Sequence, residues 1–142
     1  MNKQFKVSVR RFLNLLLISF SVTSFANIEA TFEGKVAKLN LVISNTDLSR
    51  KRGLMHQASL EKNSGMIFIW PSTKKQCMWM KNTSLSLSVA YMSSNGRILE
   101  IYDMVPFSEE SICSIQRARM AVEVNQGWFK NCLLYTSDAA DE

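Results

Sequence analysis

The strongest constraint on this chain is the period-two alternation near its middle. Leu85, Leu87, Val89 and Tyr91 fall on one face of an extended segment, and Ser86, Ser88 and Ala90 fall on the other. A helix, repeating every ~3.6 residues, would scatter these positions, so residues 85–92 are expected to form a strand. Ser93-Ser94-Asn95-Gly96 follows, and Asn-Gly tolerates positive φ at low cost, which predicts a hairpin into a partner strand over 97–104.

Other segments extend the same logic. Leu39, Leu41 and Ile43 alternate with Asn40, Val42 and Ser44, which suits a half-buried strand. Asn45-Thr46-Asp47 offers an N-cap and a first-turn carboxylate, so one short helix is expected over 47–56, interrupted at Gly53. Residues 66–70 are apolar on both faces and are expected to form a central strand ending at Pro71. Residues 77–81 read as a strand with Trp79 opposed to Met78 and Met80, and 105–116 as a loop. Met120, Val122 and Val124 alternate with Ala121, Glu123 and Asn125 in a last strand. Short strands, close turns and one small helix define a mainly β chain: a small sandwich or partial barrel of mostly antiparallel strands.

The two ends are expected to lie outside that domain. Lys3, Lys6, Arg10 and Arg11 precede an uncharged apolar run over 12–25, and Ser24-Phe25-Ala26 places small residues where a signal peptidase reads them. Residues 1–26 are therefore expected to be a signal peptide, since the run is shorter than the ~20 residues that span a bilayer. Residues 132–142, CLLYTSDAADE, look like a translated sequencing adapter joined to a truncated chain; a natural acidic tail is the other reading. Residues 27–131 then make a single β-rich domain. It keeps 13 Lys and Arg against nine Asp and Glu, a net charge of +4. The basic clusters Arg50-Lys51-Arg52 and Lys74-Lys75 lie in no nucleic-acid motif, so no nucleic acid is expected as partner. Export points to the periplasm of a Gram-negative bacterium, with no membrane span after cleavage.

Cys77 and Cys113 remain when Cys132 is set aside with the tail. An even pair in an oxidising compartment suggests a disulfide; the alternative is a buried thiol at Cys77. A single histidine, His56, cannot build a usual zinc site, and neither a metal nor a cofactor is expected.

Four short motifs occur in order: Arg52-Gly53-Leu54-Met55, Gly65-Met66, Trp79-Met80-Lys81-Asn82-Thr83, and Glu123-Val124-Asn125 followed by Gly127-Trp128. Together they resemble the domain of unknown function 192 family (DUF192, also called uncharacterised protein family 0127) over about residues 39–131. The resemblance implies a small β-rich domain, often exported, with no established activity. It also implies a proline and an aspartate where this chain has Ser86 and Ser88. A short helix and closing strand should follow Gly127-Trp128, and this chain is expected to lack them.

No nucleophile–base pair, paired carboxylates or phosphate loop is recognisable. The polar and aromatic motif residues Arg52, Trp79, Lys81, Asn82, Glu123, Asn125 and Trp128 are the binding-site candidates. They could line one concavity for an anionic or hydroxylated ligand, with an indole as its wall. Equally, Arg52 could pair with Glu123, the two asparagines could satisfy turn backbones, and the tryptophans could be core. Three functions follow: a small-ligand or cell-envelope binding module, an enzyme of unrecognised class using Lys81 and Glu123, or a structural or protein-interaction domain.

Overall fold

A computed structural model of the protein describes residues 5–8 and 27–132. Most of the expected signal peptide, including the apolar run, and residues 133–142 of the expected tail lie outside the described residues. The strands are β1 (Phe5–Ser8), β2 (Asn27–Phe32), β3 (Lys38–Ser44), β4 (Ser64–Lys74), β5 (Cys77–Met78), β6 (Leu87–Met92), β7 (Ile98–Met104), β8 (Ile112–Cys113) and β9 (Ala118–Asn125). The helices are α1 (Asp47–Arg52) and α2 (Trp128–Asn131). One sheet runs β1-β2-β3-β4-β9-β6-β7, and β5 pairs with β8 in a small second sheet. The fold is mainly β, as the alternation predicts, and the described strands close no barrel. β3 and β4 pair in parallel and every other neighbouring pair is antiparallel. The parallel pair needs a crossover, which α1 and the loop after it supply.

The central strands β6 and β9 are covered on both faces. All six residues of β6 are buried, and so are Ala121, Val122, Glu123 and Val124 of β9. One face packs Leu39, Leu41, Ile67, Ala90, Val122 and Val124 under Trp128 and Phe129 of α2. The other packs Phe68, Leu87, Val89, Tyr91 and Ala121 under Leu54, Met78, Met80 and Met104. Alternation therefore sorts side chains between two cores rather than between core and water.

Several boundaries differ from expectation. β4 continues through Pro71 to Lys74, with a register shift between Ile69 and Lys74. A proline is tolerated at such an irregularity because no ladder hydrogen bond is needed from it. Arginines take the carbonyls there: Arg119 Nη1 donates to Pro71 at 2.7 Å and Arg117 Nη2 to Thr73 at 2.6 Å. α1 stops at Arg52 rather than at residue 56, because Gly53 turns out of the helix at φ 48°, ψ −134°. Its start is as expected, with Thr46 as N-cap in a reciprocal capping box with Ser49. The strand expected over 77–81 ends at Met78, since Met80 N–H bonds the Ser108 carbonyl instead. One turn of helix, α2, follows Gly127. Ser93-Ser94-Asn95-Gly96 turns β6 into β7 with Gly96 at φ 82°. Among the described residues no helix is long and apolar enough to cross a membrane.

β5 and β8 form a lid over the second core. Met78 and Ile112 face inward, and Tyr91 Oη donates to the Ile112 carbonyl at 2.6 Å. Cys77 and Cys113 are register partners in this lid, with their sulfurs 2.03 Å apart and a sequence separation of 36. Cys132 is the free cysteine among the described residues.

Two measurements test these packing arguments. A Cβ added at Gly65 would stand 2.3 Å from the Glu123 carbonyl oxygen, a backbone atom that cannot swing aside. Gly65→Ala is expected to cost about 1–3 kcal/mol or more, read from the urea midpoint; an unchanged midpoint would contradict the close approach. Opening the Cys77–Cys113 loop by Cys113→Ser should cost about 3–4 kcal/mol in the chain-entropy account. Thiol titration of the oxidised native protein should find Cys132 and neither partner of the bridge.

Candidate functional site

The site grows from one row of residues across the sheet. Val42 of β3 pairs with Met66 of β4, Met66 with Glu123 of β9, and Glu123 with Val89 of β6. Parity puts Glu123 on the face opposite Met120, Val122 and Val124, as its sequence position predicts, but that face is the second core. The residue is 3% exposed. No hydrogen bond or ion pair joins it to another described residue. Burial away from water raises its pKa from the ordinary 4.5 to about 8, so near neutrality the carboxyl is held protonated.

Glu123 lies at a small cavity lined also by Phe68, Met78, Trp79, Thr83 and the 50–55 segment. The cavity volume is about 20 Å³, room for about one water-sized group. Two motif loops build its mouth. Gly53 leaves α1 there, and His56 N–H donates to the Asn82 carbonyl at 2.9 Å, tying the arginine-bearing loop to the tryptophan-bearing one. Phe107 N–H donates to the Thr83 carbonyl at 3.0 Å and braces the second loop from outside. His56, Asn82 and Phe107 all hold positive φ, at 62°, 53° and 62°. Non-glycine residues in this region store local strain, which tends to gather at functional sites.

The seven candidate residues separate. Arg52, Trp79 and Glu123 share the cavity. Arg52 is exposed and has no ion pair or hydrogen bond to a described side chain, so the expected pairing with Glu123 does not form. Arg50 is engaged instead, with Nη1 donating to the Ile69 carbonyl at 2.7 Å and Nη2 paired with Asp47. Lys81 does not line the cavity. Its Nζ stands 5.3 Å from the Trp79 ring centroid and 3.7 Å from Glu109 Oε1, outside the indole wall. Asn82 is exposed and contributes its backbone. Asn125 Nδ2 donates to the Leu60 and Glu61 carbonyls, both at 3.0 Å, fastening the loop before β4. Trp128 lies on the opposite face of the sheet, buried against Phe32, with its indole N–H donating to Asn63 Oδ1 at 3.1 Å. In place of one concavity shared by all seven candidates, the structure has a smaller one that holds Arg52, Trp79 and Glu123. The chain leaves strand geometry after Met78, so parity arguments for Lys81 no longer apply.

Sequence reasoning missed Thr83, Met78 and Arg50. Thr83 lies within a motif, but nothing in its spacing showed that it would line the cavity with Glu123. At position 88, where the resemblance implies an aspartate, Ser88 is buried. It accepts from Gly127 N–H at 3.3 Å and donates to Asp103 Oδ1 at 2.5 Å. A neighbouring strand thus supplies the carboxylate, and on the face away from Glu123.

Fold and site together define a small, mainly β domain with a buried carboxyl beneath two strained loops. The chain belongs to the DUF192 family, described as an uncharacterized ACR, whose model matches residues 28–140. A solved structure from Sinorhizobium meliloti 1021, provisionally named a transcription regulator, is similar at 28% identity and a TM-score of 0.70. The match covers 78% of this chain and 89% of that one. A protein of unknown function from Novosphingobium aromaticivorans DSM 12444 has the same fold, at 20% identity and a TM-score of 0.74, covering 83% of this chain and 86% of that one. No curated protein matches the chain.

The raised pKa of Glu123 has a measurable consequence. Between about pH 4.5 and 8 the carboxyl keeps its proton when folded and loses it when unfolded. Its contribution to stability is full below the unfolded value and is lost as pH rises through about 8, by about 1.4 kcal/mol per pH unit across that window. Glu123→Gln should remove this slope in urea unfolding series at stepped pH; parallel wild-type and variant profiles would refute a protonated Glu123.

Proposed function

We propose that this protein is an exported small-ligand-binding module of the cell envelope, and that its ligand is a small anion bearing a hydroxyl group. One observation carries the reading: a buried carboxyl, Glu123, at a cavity whose rim holds the cation Arg52, neither with a side-chain partner among the described residues. Burying a polar group unsatisfied costs about 1–3 kcal/mol, and a ligand hydroxyl entering the cavity would recover part of that cost. The protonated carboxyl can both donate to and accept from that hydroxyl. Arg52 then takes the anionic end, and the Trp79 indole, 39% exposed, offers a flat wall. Export is supported by the basic and apolar segments within residues 1–26 and by the adjacent Cys77 and Cys113.

The enzyme reading is weaker because Lys81 stands outside the cavity, against Glu109. Exposed Val105 and Phe107 beside the Lys81 loop favour a second reading, docking of a partner protein.

A panel of hydroxycarboxylates and sugar phosphates, screened by thermal shift on the full chain, tests the proposal. A true ligand at 100 times its Kd should add about 2.7 kcal/mol. Arg52→Gln should weaken it by about tenfold to a hundredfold, the value of a hydrogen bond to a charged group. A panel without any shift, or a shift indifferent to Arg52, defeats the reading.

A further inference from the structure

On the other side of the 52–54 turn from Glu123 lies a second, larger concavity. It is a groove of about 300 Å³ between the loop after α1 and the adjoining strands β3 and β4. Val42, Leu54, Leu60 and Met66 supply its apolar wall. Leu54 and Met66 are anchored in the second core, whereas Val42, half-buried, packs into neither core layer. Uncovered aliphatic surface in a concave setting is where an apolar ligand body gains most from leaving water.

Charge decides what kind of body. Among the residues lining this groove, Arg52 is the single charged one; the others that are not apolar are uncharged side chains such as Asn40, Ser49 and Gln57. Arg52 has no carboxylate partner among the described residues, whereas Arg50 is paired with Asp47, Lys38 with Glu29 and Lys81 with Glu109. An aliphatic wall with one unpaired guanidinium at its end complements an aliphatic molecule with one anionic end. A planar carboxylate matches the guanidinium fork in a bidentate pair.

We propose that the groove binds an aliphatic carboxylate, with its chain along Val42, Leu54, Leu60 and Met66 and its carboxylate on Arg52. Because the groove is concave and of small volume, it takes a single chain rather than a lipid surface. The inference rests on the functional reading above in one respect, the role of Arg52 as the anion-holding residue, and names the class of apolar body that the same cation would serve.

Titration of the full chain with octanoate, monitored by calorimetry and by methyl and indole NMR, tests it. Octan-1-ol, octylamine and acetate are the controls. Octanoate is expected to bind saturably and about tenfold or more tighter than each control. Affinity should rise along the series from acetate through hexanoate to octanoate, and the resonances of Val42, Leu60 and Met66 should move while the Trp79 indole stays still. Arg52→Gln, at an exposed position that the fold does not use, should bring octanoate down to the level of octan-1-ol. Octan-1-ol binding as well as octanoate, no gain with chain length, no effect of Arg52→Gln, or shifts confined to Trp79 and Met78 would each overturn the groove assignment. The two readings fail separately. Octanoate binding with no responding hydroxy-anion ends the cavity reading and keeps the groove; a responding hydroxy-anion without octanoate binding does the reverse.

Discussion

The inner geometry of this domain depends on how closely β4 and β9 approach at Gly65. The absence of a side chain lets the Glu123 carbonyl sit where a Cβ would otherwise stand. That contact sets the register in which Met66 faces Glu123, and through β3 it aligns Val42 with both. Shift this register by one residue and every side chain in the row would change faces, so the carboxyl would move into the opposite core. The cavity, the groove and the Met66 side chain between them in the row all inherit their positions from one glycine.

A carboxyl in that position is expensive. Desolvation is the cause of its raised pKa, with no neighbouring base to share the proton. Tyr91, next to it on the same face, feels the same burial: its phenol is pushed upward first by loss of water and then by the Glu123 charge. The phenol is satisfied by the Ile112 carbonyl of the lid, whereas the carboxyl is not. An apolar residue of similar size would fill the space without that cost.

The loops over the carboxyl are held by backbone rather than by side chains. His56 to Asn82, Met80 to Ser108 and Phe107 to Thr83 form a chain of main-chain hydrogen bonds linking three loops. Three of these residues sit at positive φ, so strain is distributed around the rim and restrained by the bonds themselves. The bridge between Cys77 and Cys113 anchors the start of the Trp79 loop at its base. This framework holds the segments that carry Arg52 and Trp79 at the rim of the cavity.

Period-two alternation, the Asn-Gly hairpin, the capped start of α1 and the ordered motifs were all legible in the chain, because each depends on residues close in sequence. The mainly β class and the opposition of Glu123 to Val122 and Val124 follow from them. What neighbours each strand lies beyond local pattern. The parallel β3–β4 pair, the second layer that buries both faces of β6 and β9, and the passage of β4 through Pro71 rest on contacts between residues far apart in the chain. The same limit explains the site. Sequence order could nominate Arg52, Trp79 and Glu123 alongside Lys81, Asn82, Asn125 and Trp128, since all seven are polar or aromatic motif residues. Tertiary packing alone sent Asn125 to the carbonyls of Leu60 and Glu61, Trp128 through to the opposite core, and Lys81 outward to Glu109. A side chain's direction is set by its own strand, but its partner is set by which strand lies beside it.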